Sequence, residues 1–69
     1  MAESSTRDRI LEVSLDLFGS RGVDAVSLDE IARTVGVRKQ TVLYWFASKD
    51  ELVEAVLANV STELVVLIE

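Results

Sequence analysis

The 69 residues contain no proline and only three glycines, Gly19, Gly22 and Gly36, so almost nothing in the chain interrupts a helix. Between those breakers the apolar side chains recur at intervals of three and four rather than two, which is the spacing of a helical face. A first helix is predicted from about Ser5 to Gly19. Ile10, Ser14, Leu17 and Phe18 share one stripe, Leu11 and Val13 widen it, and Arg7, Asp8, Glu12 and Asp16 fall elsewhere. Gly19 and Gly22 are expected to end it. A second helix begins at Ser27-Leu28-Asp29-Glu30, a capping box in which the serine hydroxyl and the glutamate carboxylate each satisfy an orphan amide, with Val26 and Ile31 at the staple positions. It stops at Gly36, a residue type that enters a left-handed turn without steric cost, and so is barely two turns long. Ser48-Lys49-Asp50-Glu51 repeats the box and Leu52 takes its staple position. The helix it opens continues uninterrupted toward Glu69, roughly 20 residues or about 30 Å. The fold class is therefore all-α, a small helical bundle, the architecture whose local packing suits a chain this short.

Composition removes most chemistry. Without Cys or His there is no thiolate or imidazole zinc site, no disulfide, no nucleophilic Cys and no Ser-His dyad. No pair of polar residues suggests a catalytic cleft, so neither an enzyme nor a cofactor or metal site is expected. The N-terminus, MAESSTRDR, has no apolar run after a basic start and reads as neither secretory signal nor membrane anchor, which predicts a cytoplasmic protein. The net charge of −5, taken alone, argues against nucleic acid. Its distribution reverses that argument. Residues 1–30 carry three basic and seven acidic side chains and residues 50–69 five acidic and no basic ones, whereas residues 31–49 carry Arg33, Arg38, Lys39 and Lys49 and no acid. Local potential, not the total, decides what docks on a surface.

The basic stretch coincides with a short segment, Val37 to Ala47, that is apolar on one side. Ile31, Val35, Val37, Val42 and Trp45 are predicted to be the buried positions of two short helices that meet at Gly36 and cross closely at the small Ala32. Trp45 and Phe46 are both expected in the core. This is the spacing of a helix-turn-helix, whose second helix is presented to the DNA major groove. Arg38 and Lys39 fall in the first turn of that helix, and no Ser, Thr, Asp or Asn caps it. In isolation each charge is unfavourable there by about 0.3–1 kcal/mol, and it becomes favourable once an anion arrives. The alternative is a pair of solvated surface cations, and Lys49, beside the cap of the last helix, has the same two readings.

Ile10, Leu17, Phe18, Gly22, Ser27, Ile31-Ala32, Gly36-Val37, Thr41, Phe46, Ser48-Lys49, Leu52 and Val56 together make a specific pattern. Through them the run from Arg9 to Val56 resembles the N-terminal DNA-binding domain of the TetR family of bacterial transcriptional regulators. The resemblance implies an all-helical head whose third helix reads the major groove. It implies that Lys39 and Gln40, with Arg38 beside them, reach base edges, and that Ser27, Thr41, Tyr44 and Lys49 hold phosphates. The sequence departs from the family pattern at three positions: Arg38 stands where a capping Ser is frequent, Gln40 where Gly or Pro is frequent, and Leu43 where a phosphate-binding Tyr is usual. Tyr44 follows one residue later, about 100° further round the helix.

The resulting organisation is a flexible N-terminus over residues 1–4, a three-helix head over residues 5–47, and a linker helix over residues 48–69 that leads toward a ligand-binding and dimerising domain. The apolar run Leu64 to Ile68 would expose hydrophobic surface at the end of a free head, so a longer regulator is expected. A membrane span is not, because Glu54, Asn59, Ser61, Thr62 and Glu63 interrupt the helix. By the same resemblance the partners are a pseudo-palindromic double-stranded operator, a second copy of the protein and a small-molecule inducer held by the other domain, and the protein is a repressor. The competing reading is a helical protein-interaction module without DNA binding, using its acidic faces and apolar C-terminus.

Overall fold

The computed structural model describes the backbone of residues 5–68 and the side chains of residues 5–60. Four helices follow one another: α1 over Thr6–Arg21, α2 over Leu28–Val35, α3 over Lys39–Trp45 and α4 over Lys49–Ile68, with a single 3₁₀ turn at Val23–Ala25 between the first two. Serines start three of them. The Ser5, Ser27 and Ser48 hydroxyls accept from the amides of Asp8, Glu30 and Glu51 at 3.1, 3.1 and 3.2 Å, so each helix gains a partner for one orphan N–H. The boxes at Ser27 and Ser48 both form only in half among the described residues, with no return bond from the Glu51 carboxylate to the Ser48 amide. The Glu30 carboxylate meets the Arg21 guanidinium at the end of α1, and no bond back to the Ser27 amide is present among the described residues. Val26 and Ile31, the staple pair, are both buried.

The first helix runs past its expected end. Gly19 lies inside α1, which continues to Arg21 and stops at Gly22, where φ is +86° and the amide donates to the Phe18 carbonyl at 2.8 Å. A helical glycine costs about 1 kcal/mol relative to alanine. That is less than burial of Leu17 just before it returns, so the helix tolerates Gly19 and ends only where φ changes sign.

One core joins the four helices. Ile10, Leu11 and Leu17 come from α1, Ile31, Ala32 and Val35 from α2, Val42 from α3, and Leu52 and Val56 from α4, with Val26 and Phe46 entering from the connections. Helix α1 packs against both α2 and α4, and α2 packs against α3. Ser14 occupies the centre of the α1 stripe as a fully buried hydroxyl with no hydrogen-bond partner among the described residues. Two arginines near the start of α1 tie it to the elements around α3. The Arg9 Nη2 donates to the Val35 carbonyl at 2.6 Å, at the end of α2, and the Arg7 guanidinium lies 5.3 Å from the Phe46 ring centre in a cation–π arrangement. Residues 1–4 and the side chains of Leu64 to Ile68 lie outside the described residues. No helix among the described residues is long and apolar enough to cross a membrane.

Candidate nucleic-acid interface

The unit formed by α2, the turn and α3 is built around Gly36. Its φ of +93° and ψ of 31° place it in the left-handed region, and the amides of Gly36 and Val37 both donate to the Ala32 carbonyl, at 2.8 and 2.9 Å. The bond from Val37 closes the six-to-one ring of a Schellman ending, and Val37 packs against the core beside it. The Arg9 guanidinium satisfies the carbonyl of Val35 and puts a cation at the negative end of α2. Every bond that sets the turn is thus made by backbone or by α1, which leaves the outward side chains of α3 without a structural task.

Helix α3 starts at Lys39 after Arg38, whose extended backbone (φ −79°, ψ 153°) makes it the N-cap residue without a side-chain cap bond. Val42 is its one fully buried residue and Phe46, just past its end, is buried too. With 3.6 residues per turn, Gln40 and Tyr44 both lie about 160° from Val42 and so point away from the body. Tyr44 is 79% exposed, and its ring meets that of Trp45 edge to face at 5.1 Å. Thr41 and Leu43 flank this face on either side, half-buried and partly exposed. Tyr44 therefore projects outward on the same face as Gln40, while Leu43, at the position of the family's usual tyrosine, sits on its shoulder.

Trp45 does not enter the core. It is 42% exposed, because with Arg7, Phe46, Glu51, Glu54, Ala55 and Ala58 it walls an open groove of about 400 Å³ between the start of α1 and the face of α4. Phe46 alone fills the place expected for both. Sequence spacing put the two aromatics on one stripe, but α3 ends at Trp45 and the extended backbone of Phe46 (φ −137°, ψ 109°) turns its ring inward.

The remaining candidates are distributed over three helix starts. Lys39 leans toward α2, where its Nζ stands 3.8 Å from the Asp29 carboxylate. This ion pair spans the first turns of α2 and α3, which the turn at Gly36 and the shared core already hold together. Lys49 opens α4 and is half-buried beside the Ser48 cap. It is related to α3 through the short link from Phe46 to Ser48 and makes no ion pair among the described residues. Asp29 was legible only as part of a cap, and nothing in the local sequence connects it to a lysine ten residues later. The described residues contain no group of acidic side chains placed to hold a metal ion.

The chain has clear relatives. The sequence profile of the bacterial regulatory proteins of the tetR family matches residues 10–56. The HTH-type transcriptional regulator SrpR of Pseudomonas putida is 43% identical over 54 residues, 78% of this chain and 25% of that protein. The uncharacterized HTH-type transcriptional regulator TtgW, also of Pseudomonas putida, is 43% identical over 54 residues, again 78% of this chain and 40% of that protein. The biofilm operon icaADBC HTH-type negative transcriptional regulator IcaR of Staphylococcus aureus (strain Newman) is 35% identical over 48 residues, 70% of this chain and 26% of that protein. The matched stretch thus covers between 25% and 40% of the length of these relatives. No solved structure matches it. The chain belongs to the tetR family of bacterial regulatory proteins.

Proposed function

We propose that this chain binds double-stranded DNA sequence-specifically as the head of a ligand-responsive repressor, with α3 lying in the major groove. One observation carries the reading: α3 is anchored from behind by Val42 and presents Gln40 and Tyr44 outward, in a stretch from Ile31 to Lys49 that contains no acid. Gln40 and Lys39 read base edges with Arg38 beside them, because an amide donates and accepts at once and matches the N6 and N7 groups of adenine, while a lysine matches the acceptors of guanine. Ser27, Thr41, Tyr44 and Lys49 position the backbone through phosphates, contacts that carry register but no sequence information. Residues 5–47 form the head, and α4 leads from it toward a domain that dimerises and holds the inducer. Two heads joined in that way bind a pseudo-palindrome whose half-sites lie about one helical turn, or a multiple, apart. Repression as the sign of regulation is supported by the name of the relative IcaR, a negative regulator. A cytoplasmic location accords with a DNA partner.

Titration of the chain against duplex DNA at two salt concentrations tests this. Binding should weaken steeply with salt, and Lys49→Ala should lower the slope of log K against log salt by about 0.9 with sequence preference intact. Gln40→Ala should cost roughly 1–3 kcal/mol at one base pair of the half-site and nearly nothing on unrelated DNA. Binding without salt dependence would refute it and favour a protein-interaction module; equal losses for Gln40→Ala on both DNAs would mean that Gln40 only supports the fold.

A further inference from the structure

We infer that Asp29 is a specificity-determining residue, and that it and Lys39 act as one donor–acceptor couple that reads a G·C base pair in the major groove. The inference rests on the DNA-binding reading above and assigns a role to an acid which that reading leaves idle. Three observations carry it. The two charged atoms stand 3.8 Å apart across the first turns of α2 and α3, with side chains 62% and 50% exposed, so the couple faces solvent rather than the core. The neighbouring acid, Glu30, is occupied by Arg21 on the far side of the turn and does not compete for Lys39. Arg33 lies one turn after Asp29 on the same helix, the favourable order for an ion pair within a helix, yet among the described residues the partner of Asp29 is Lys39.

An ion pair this exposed contributes little to folding. Beside DNA its position matters more. A carboxylate next to a phosphate backbone is repelled unless it finds a donor, and a lysine tethered to it is less available to neutralise a phosphate. In the major groove one base pair offers both complements at hydrogen-bonding separation: guanine presents the O6 and N7 acceptors and its paired cytosine presents the N4 amino donor. Lys39 donates to guanine while Asp29 accepts from cytosine. At an A·T pair the adenine N6 amino group and the thymine O4 stand in the reverse order across the groove, so the couple meets each group with the wrong partner; in the T·A orientation O4 and N6 keep the order of the G·C pair, and Lys39 meets the thymine methyl in place of the N7 acceptor that guanine adds. Asp29 thereby raises selectivity by lowering affinity for the pairs that present donor and acceptor in the reverse order, A·T and C·G.

The test is a double-mutant cycle. A randomised duplex library is enriched on the 69-residue chain, and the preferred half-site and its single-pair variants are then titrated against wild type, Asp29→Asn, Lys39→Gln and the double variant. Asp29→Asn is isosteric at an exposed site, and far-UV circular dichroism verifies that each variant remains helical. The expected result is a G·C pair at which wild type discriminates about tenfold or more, the factor that one good base contact supplies. Each single variant loses that discrimination at the same pair, and the double variant loses no more than either. Asp29→Asn also binds unrelated duplex several-fold more tightly. Equal changes for Asp29→Asn on all duplexes, loss at a different pair from that of Lys39→Gln, or additive losses would overturn the couple while leaving DNA binding intact. A wild type that enriches no duplex would overturn the DNA reading itself, and the couple with it.

Discussion

Replacing Arg9 by methionine keeps the aliphatic stem against the body and removes the guanidinium that donates to the Val35 carbonyl at 2.6 Å. The bond joins residues 26 positions apart and closes the end of α2, where the carbonyls face away from their own helix. A hydrogen bond from a charged donor contributes about 1.5–3 kcal/mol, and a cation near a helix C-terminus about 0.3–1 kcal/mol; the two overlap here because one group makes both. Arg9 is exposed as a whole and water competes for the carbonyl once it leaves, so the expected loss is near the lower limit, about 1–2 kcal/mol. For a domain of this size each kcal/mol shifts Tm by about 4–8 °C, which puts the midpoint on the order of 5–15 °C lower. Urea unfolding followed by the fluorescence of Trp45, the one tryptophan, measures it directly. Arg33→Met is the control: Arg33 lies in the last turn of the same helix without a hydrogen bond among the described residues, and its loss should stay within about 0.5 kcal/mol. High salt should reduce the Arg9→Met effect only in part, since screening weakens the dipole interaction and not the bond. If Arg9→Met and Arg33→Met shift the urea midpoint equally, the guanidinium is not a clamp on the turn and the reasoning fails.

Other outcomes follow from the backbone and the core. Gly36→Ala should destabilise by about 1–2 kcal/mol through conformation alone, since a Cβ there meets nothing within 4 Å while φ is +93°; Gly36→Asn should recover part of that, and an alanine variant as stable as wild type would mean that the left-handed turn is not required. Ser14→Ala should stabilise by about 1 kcal/mol, because it deletes a buried hydroxyl that has no partner among the described residues and improves helix propensity. A lower thermal midpoint for Ser14→Ala would show that the hydroxyl does useful bonding.

Local signals of fold were legible wherever the physics is local. The serine starts at 5, 27 and 48, the glycine stop at 36 and the staple of Val26 on Ile31 each need only neighbours within about one turn, and each appears where the spacing places it. The misreadings share a different cause. Gly19 stayed helical because tertiary burial outweighs its propensity, Trp45 left the core because the helix ended at that residue, and Glu30 deserted its own cap for an arginine on α1. The candidate site was legible as residue types, most of them on the segment from Arg38 to Lys49 with Ser27 apart. Its geometry was not, since Asp29 beside Lys39 and Arg9 on Val35 are contacts between helices that no periodicity encodes.

Within α3 a single residue, Val42, is fully buried, and the turn before it is fixed by Gly36 and by Arg9 from another helix. The side chains that face outward can therefore change with little effect on whether the chain folds. On the proposed reading of α3, mutation is then free to explore DNA preference along a nearly flat stability landscape, and duplicated copies can drift toward different operators without first passing through an unfolded ancestor. Transplanting the identities at 39, 40, 43 and 44 from another member should move its target preference while leaving this scaffold standing. On that reading, one exposed surface can be rewritten while the frame behind it stays unchanged.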